Sequence, residues 1–516
     1  MRLIDYFDRG VRHFPDRACL VDGELSKSYR EVAAMTYRIA GCLLAGGLKP
    51  GERVAVLSPN SAAAFECILG LLRANAVWVP LNARNVIGDH LHFLGLTGCT
   101  HLFYHSQFAP QIDRLRAEVP SLRVTICIDK PEGPGVALDE WLKGPSAPVP
   151  DINGRPEDLA TLLSTGGTTG KPKAARLTNL CWSTMIANFC AEIHYESPPT
   201  HLIVAPMTHA AGVITFPLMA QGATNIVISK SAPGEILEAI ERHRVTTLFL
   251  PPTLIYMLLA HPDLHKHRYS SLQHFIYAAA PMSVEKLRQA IEVFGPVMLQ
   301  TFGQAEAPMV CTIFSREAHV AGLRSGNSER LASCGRAGLH TRVAIMDDEG
   351  RLLPPGERGE IVVSGALVMD GYHENPAATA EMSRFGWHHT GDVGYVDKEG
   401  YFYIVDRKRD MIISGGFNIY PSEIEQVLWT HPAVQDCAVI GIPDEKWGEA
   451  VKAIVELKPE MKAEPDELIA LCKKELGGVK APKTVEIWQA LPRSAVGKVL
   501  KREIRARFWE GHARKI

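Results

Sequence analysis

The sequence predicts an α/β fold carried further by a β-rich stretch and a closing α+β unit. Three observations predict it. Over roughly the first 300 residues, short apolar runs alternate with longer amphipathic ones, the signature of strand–helix–strand units on parallel sheets covered by helices. From about residue 342 to 403 the runs shorten and Gly and Pro multiply, as in an antiparallel sheet or small barrel. After Asp406 comes a third pattern, helix, paired strands and helix, in a block of roughly 110 residues.

In chain order, residues 53–57 read as a strand, 61–75 as a helix with Asn60 as its N-cap, and 76–80 as the next strand. Residues 101–104, 123–128, 225–228 and 246–250 are further strands, with a helix at 234–243. Strands at 342–346, 359–364 and 401–405 make the β-rich portion. A helix at 422–430, strands at 434–442 and 450–457 and a helix at 465–476 make the last unit. The expected organisation is a large N-terminal domain, residues 1–405, holding two βαβ subdomains and a β-rich, barrel-like subdomain at about 340–405. A hinge at 406–410 then leads to a small mobile C-terminal α+β domain, 411–516. At roughly 150 residues per domain, a chain of 516 residues accommodates that division.

Composition narrows the function. With 46% hydrophobic and 22% charged residues the chain is neither disordered nor fibrous. Lys and Arg total 55 against 57 Asp and Glu, a net charge of −2, which supplies no field for nucleic acid. The 11 cysteines are odd in number and scattered, without a C-x-x-C pair, as expected of thiols in a reducing compartment. The N-terminus lacks a signal-peptide layout. The most apolar stretch, 210–220, contains Thr215 and Pro217 and falls short of the roughly 20 residues a bilayer requires. A cytoplasmic protein without a transmembrane segment is expected; peripheral membrane contact and a homodimer stay open.

The strongest chemical signal is residues 162–173, where an apolar strand runs into Ser164, Thr165, Gly166, Gly167, Thr168, Thr169, Gly170, Lys171, Pro172 and Lys173. Glycines let backbone N–H groups curl around a polyphosphate, hydroxyls donate to its oxygens, and lysines supply charge. It is not a Walker A loop, because the G-x-x-x-x-G-K-[ST] spacing fails. Composition alone leaves a surface hairpin open.

This segment resembles the signature loop of the adenylate-forming superfamily, which comprises acyl- and aryl-CoA synthetases, adenylation domains and beetle luciferases. In that family the loop wraps the β- and γ-phosphates of ATP. Gly166 departs from the family's usual Ser or Thr. Further motifs extend the resemblance over nearly the whole chain. Residues 206–212 resemble the next motif and imply that His209 shapes and gates the carboxylate site. Ala278, Ala279, Ala280 and Pro281, with Thr301, Phe302, Gly303 and Gln304, resemble the adenine cleft, Phe302 stacking on the base. Glu306 is implied as the Mg2+ contact, a hard oxygen ligand, although Ala305 replaces the family's usual Thr. Asp392, in Trp387-His388-His389-Thr390-Gly391-Asp392, matches the ribose ligand; Arg407 also reaches the ribose, and Arg409 falls at the hinge. Ser414, Gly415, Gly416 and Phe417 match the loop lining the tunnel for the pantetheine arm of coenzyme A. Lys498, closing Leu491-Pro492-Arg493-Ser494-Ala495-Val496-Gly497-Lys498, matches the lysine that drives adenylation. Taken singly, His209 reads as a core residue, while Glu306 reads equally as a solvated residue in an ordinary turn. Likewise 406–410 reads as a surface turn and Lys498 as part of a basic tail with Lys501, Arg502, Arg505 and Arg507.

The resemblance implies an ATP-dependent ligase that adenylates a carboxylic acid and transfers the acyl group to CoA, with ATP, Mg2+ and coenzyme A as its small-molecule requirements. His209, Ala210, Ala211, Val213, Ala278, Pro308 and Met309 form the implied acyl wall, which is small and uncharged. It suits an apolar monocarboxylic acid, a medium- or long-chain fatty acid first and an aromatic acid such as a hydroxycinnamate next. Two alternatives stand beside this: an acyl-AMP ligase loading a carrier protein, and a catalytically silent ATP-binding regulatory protein, suggested by Gly166 and Ala305. No G-x-S-x-G or H-E-x-x-H motif supports a hydrolase.

Overall fold

The computed structural model of the chain describes residues 1–165, 172–229, 232–326, 329–493 and 499–510. Among them, four sheets organise the molecule. One runs Val136–Ala137, Val124–Cys127, His101–Tyr104, Arg53–Ser58, Val77–Asn82, Leu159–Ser164, Ala174–Thr178, parallel throughout except for its last, antiparallel pair. The largest has Met298–Phe302, His274–Tyr277, Thr247–Leu250, Thr200–Ile203, Thr224–Val227 and Ala18–Asp22 as its parallel centre. Val77–Asn82 and His101–Tyr104 are buried along their whole length. That is why they read as continuous apolar runs rather than alternating ones: helices cover both faces of a parallel sheet.

The N-terminal segment has a place its own periodicity does not reveal. Ala18–Asp22 pairs with Thr224–Val227, Leu20 opposite Asn225. The Tyr29 hydroxyl donates to the Ala223 carbonyl at 2.8 Å. Asn60 is not the cap of the first crossover helix, which spans Ala62–Arg73. Ser61 caps it, its hydroxyl accepting the Ala64 N–H at 3.2 Å. The longer Asn60 amide instead donates to the Val204 and Ala205 carbonyls, both at 3.1 Å, and accepts the Met207 N–H at 2.8 Å. A side chain able to donate and accept at once is worth more bridging two sheets than ending one helix.

The β-rich portion is an antiparallel sheet of Arg342–Met346, Gly359–Ser364, His388–Val396 and Phe402–Arg407. The barrel expected there is realised as an open sheet, since no ladder among the described residues joins its outer strands. Phe402 instead exchanges backbone bonds with the neighbouring sheet's extension, donating to Gly335 and accepting from Cys334. The last sheet contains Phe417–Ile419, Ile412–Ser414, Gly448–Leu457 and Val434–Asp444, with Thr484–Trp488 beside Gly448–Leu457. Successive residues of one strand enter different cores: Val439 packs with helices Pro421–Leu428 and Pro465–Lys480, whereas Ala438 and Ile440 pack with Ile504 of helix Lys501–Trp509. This is the period of two expected for a sheet covered on both faces. No helix among the described residues is long and apolar enough to cross a membrane.

Candidate functional site

The parallel strands His274–Tyr277 and Met298–Phe302 end side by side, and the chain turns sharply after each. In open parallel sheets, ligands bind in the crevice outside these carboxyl ends. Ala279 has φ +75°, a left-handed conformation rarely held by a residue with a Cβ. At Gly303 a Cβ would lie 2.4 Å from the Met309 nitrogen, so only glycine lets the 303–309 turn close. Phe302 and Thr301 are buried at the base of this turn, and the Thr301 hydroxyl has no partner among the described residues.

Asp392 lies across the crevice, 3% exposed. Arg407 is its register partner on the next strand, Nε 2.6 Å from Asp392 Oδ1. Gln304 Nε2 donates to Asp392 Oδ2 at 3.1 Å and to the Thr390 carbonyl at 2.7 Å. Gln304 thus braces the aspartate, a role its place in the motif does not disclose. The structure brings Gln304, Asp392 and Arg407 into contact, with Gly303 in the turn beside them.

The glycine loop itself, Gly166, Gly167, Thr168, Thr169, Gly170 and Lys171, lies outside the described residues. Its base is described. Ser164 pairs with Ala174, and the Thr165 N–H donates to the Lys173 carbonyl at 2.9 Å. The Thr165 hydroxyl is buried without a partner among the described residues, a donor available to a phosphate oxygen. Lys173 Nζ stands 4.2 Å above the ring of Tyr372, whose hydroxyl donates to Glu306 Oε1 at 2.7 Å. Burial and the neighbouring Glu306 carboxylate push the Tyr372 phenol up, so it stays protonated and donating. Sequence reasoning missed Tyr372. Its signal is a tyrosine after Gly371, which has φ +81°, in a stretch that exchanges backbone bonds with Ala174 and Arg176. Among the described residues no three His, Cys, Asp or Glu side chains converge on a metal position. A lone carboxylate fits Mg2+ here, because that ion keeps waters and completes its shell with substrate phosphates.

His209 precedes the buried helix Ala210–Met219, with Nδ1 3.1 Å from the Thr208 hydroxyl. At Gly212 a Cβ would lie 1.6 Å from the Met207 carbonyl oxygen, so the helix packs here only without one. Ala211, Val213, Ala278, Phe302 and Met309 belong to one continuous buried cluster, Ala210 packs against it, and Pro308 is buried. Burial lowers His209 to about 4, so the imidazole is neutral at pH 7. Burial likewise takes His101, His201, His274 and His319 to about 4. A histidine with a depressed folded-state pKa takes up its proton earlier in the unfolded chain. Stability is therefore lost as pH falls through the unfolded value near 6.5, by up to about 3 kcal/mol per histidine by the time pH 4 is reached. Burial also pushes Glu425 up to about 7 and raises Glu66, which act in the opposite sense, but they are two groups against five. The melting temperature is expected to drop steadily between pH 7 and 5; a flat profile would contradict the burial of these imidazoles.

Lys498 lies outside the described residues; on either side of it Arg493 and Val499 form a backbone bridge, and the Leu500 N–H donates to the Pro492 carbonyl at 2.8 Å. Gly415 and Gly416, with φ +57° and +83°, form the turn between Ile412–Ser414 and Phe417–Ile419. A Cβ on Gly415 would lie 2.6 Å from the Trp447 ring; Phe417 is 59% exposed and Ser414 is buried. Arg409 sits in the turn after Arg407, where Asp410 N–H donates to the Arg407 carbonyl. Beyond it, the Ser422 N–H donates to Asp406 Oδ2 at 2.8 Å, and Arg358 pairs with Glu423 at 3.1 Å.

Residues 7–373 match the AMP-binding enzyme family, and residues 423–498 match the C-terminal domain of such enzymes. The chain belongs to the AMP-binding enzyme family. Curated relatives include a feruloyl-CoA synthase of an Amycolatopsis species, 38% identical over 508 residues, covering 97% of this chain and 98% of the relative. The medium/long-chain-fatty-acid–CoA ligase FadD8 of Mycobacterium tuberculosis is 39% identical, covering 91% and 84%. Among solved structures, the amide bond synthetase McbA of Marinactinospora thermotolerans superimposes with a TM-score of 0.89 at 28% identity, covering 98% of this chain and 100% of that one. The AMP-binding enzyme match takes in Thr165, His209, Glu306 and Tyr372, and the C-terminal match ends at Lys498.

Proposed function

We propose that this enzyme condenses ATP with an apolar monocarboxylic acid, a medium- or long-chain fatty acid before an aromatic one, and passes the acyl group to CoA. The observation that carries the choice of acid is the uncharged wall: residues 206–216 hold no Asp, Glu, Lys or Arg, and Ala211, Val213, Ala278 and Met309 share one buried cluster. The names of two similar relatives, a fatty-acid–CoA ligase and a feruloyl-CoA synthase, span the same two classes of acid.

In the first half-reaction a carboxylate oxygen attacks the α-phosphorus and pyrophosphate leaves. In the second, the CoA sulfur attacks the acyl carbon and AMP leaves. Bringing two anions together is the electrostatic difficulty. Lys498 bridges the carboxylate and the α-phosphate with a point charge on a long stem. Glu306 would hold Mg2+, which when bound supplies neutralisation of phosphate charge. Neutral His209 lines the carboxylate position without adding charge of its own. Phe302 faces the base, Asp392 and Arg407 hold the ribose, and Thr165 and Lys173 flank the phosphates. Residues 411–516 turn about Arg409, in the 406–410 hinge, to exchange Lys498 for the Gly415–Gly416 turn that admits the pantetheine arm.

The test is pyrophosphate and AMP release with octanoate, palmitate and ferulate, each with CoA, with an acyl carrier protein, and with neither acceptor. Pyrophosphate release with a fatty acid and AMP release that requires CoA are expected. No pyrophosphate above background with any acid would sink the reading, and AMP release that requires the carrier protein would replace CoA as acceptor.

A further inference from the structure

Helix Lys501–Trp509 begins three residues after Lys498 and is anchored along its length. In its first turn Lys501 Nζ lies 2.7 Å from Glu425 Oε1 on helix Pro421–Leu428. Ile504 is fully buried, and at the far end Trp509 Nε1 donates to the Gly441 carbonyl at 2.9 Å. Arg505, one turn after Lys501, does something these anchors do not. Its side chain is 12% exposed, and its guanidinium forks: Nη2 lies 3.3 Å from Glu449 Oε1, while Nη1 donates to the Arg409 carbonyl at 3.4 Å. Glu449, 7% exposed, uses its other oxygen to accept the Ile413 N–H at 2.8 Å, two residues before Gly415. The absent side chain of Gly441 makes room, since a Cβ there would lie 3.1 Å from the Glu449 carboxyl carbon. One buried ion pair thus touches the helix that follows Lys498, the strand that leads into the glycine turn, and the backbone of the hinge residue.

We propose that Arg505, acting with Glu449, is a positioning residue that couples these three segments so that they turn as one body. The inference rests on the reading that Lys498 and the Gly415–Gly416 turn serve successive half-reactions. Because Arg505 holds the Arg409 carbonyl to the small unit, the pivot lies at or before the φ and ψ of Arg409. A flat two-armed cation is required, since a lysine ammonium at this depth meets one of the two acceptors without the fork that spans both. Helix Lys501–Trp509 keeps its other anchors, Lys501, Ile504 and Trp509, so adenylation is the less dependent step.

The experiment compares wild type, Arg505→Met, Arg505→Lys and Glu449→Gln in the full-length enzyme, measuring acid-dependent pyrophosphate exchange, single-turnover thioester formation from preloaded acyl-adenylate, KM for CoA, and melting temperature. Arg505→Met is expected to change exchange by less than about threefold and to slow thioester formation by about tenfold or more, with a raised KM for CoA. Arg505→Lys, which retains charge toward Glu449, recovers the KM but not the rate. Glu449→Gln keeps an acceptor for Ile413 and reproduces the loss in rate with a smaller change in KM. Equal loss in both half-reactions, or losses that follow melting temperature across the three variants, would overturn the proposal and leave a purely structural ion pair. Absence of any CoA-dependent step in the wild type would instead overturn the reading beneath it.

Discussion

Replacing Lys498 by alanine is expected to lower acyl-adenylate formation by two to three orders of magnitude, or roughly 3–4 kcal/mol of transition-state stabilisation. The negative charge at the α-phosphorus grows as the carboxylate approaches, and a cation aimed at that position acts more strongly in the transition state than in the ground state. On either side of Lys498, Arg493 and Val499 form a backbone bridge, and Arg493 is itself held by Asp436 at 2.8 Å and Glu456 at 3.1 Å. Truncating the side chain therefore removes the charge and leaves the support in place. Pyrophosphate exchange reads the loss directly. Thioester formation from supplied acyl-adenylate should stay near the wild-type rate, because the proposed turn of residues 411–516 would take Lys498 out of the site before that step. Adenylation at the wild-type level in this variant would remove the central element of the mechanism.

The second large effect is expected from Arg409→Pro: adenylation within a few-fold of wild type, thioester formation slowed by about a hundredfold. Proline fixes φ near −65° and pushes the preceding residue toward extended conformations. Lys408 is already tied down, its N–H donating to the Gly391 carbonyl at 2.8 Å, so little freedom is left elsewhere in the turn. A chain that can hold one arrangement but not pass to the other separates the two half-reactions. Rapid-quench measurement of acyl-adenylate decay on adding CoA distinguishes them, and equal impairment of both would refute a hinge at this position.

Much of the architecture is legible in the sequence because it is local. The strand read at 53–57 is Arg53–Ser58, and that read at 359–364 is Gly359–Ser364, since continuous β-branched and apolar runs between turn residues leave few other conformations. In the candidate site, the sequence places Gln304 and Asp392 in two short motifs, and the structure brings their side chains within 3.1 Å. What escapes the sequence depends on residues far apart. Tyr372 meets Glu306 across 66 positions, Gln304 meets Asp392 across 88, Arg505 reaches Arg409 across 96, and Asn60 receives Met207 across 147. No periodicity or spacing encodes such pairs.

The sequence by itself determined the class of fold, the order of its motifs and the uncharged character of residues 206–216, because each follows from residue types a few positions apart. Only the tertiary structure decided that Tyr372 holds Glu306, that Gln304 braces Asp392 and that Arg505 joins helix Lys501–Trp509 to the Arg409 carbonyl. Those contacts exist because chain folding brings distant polar groups into a dry interior, where each must find a partner.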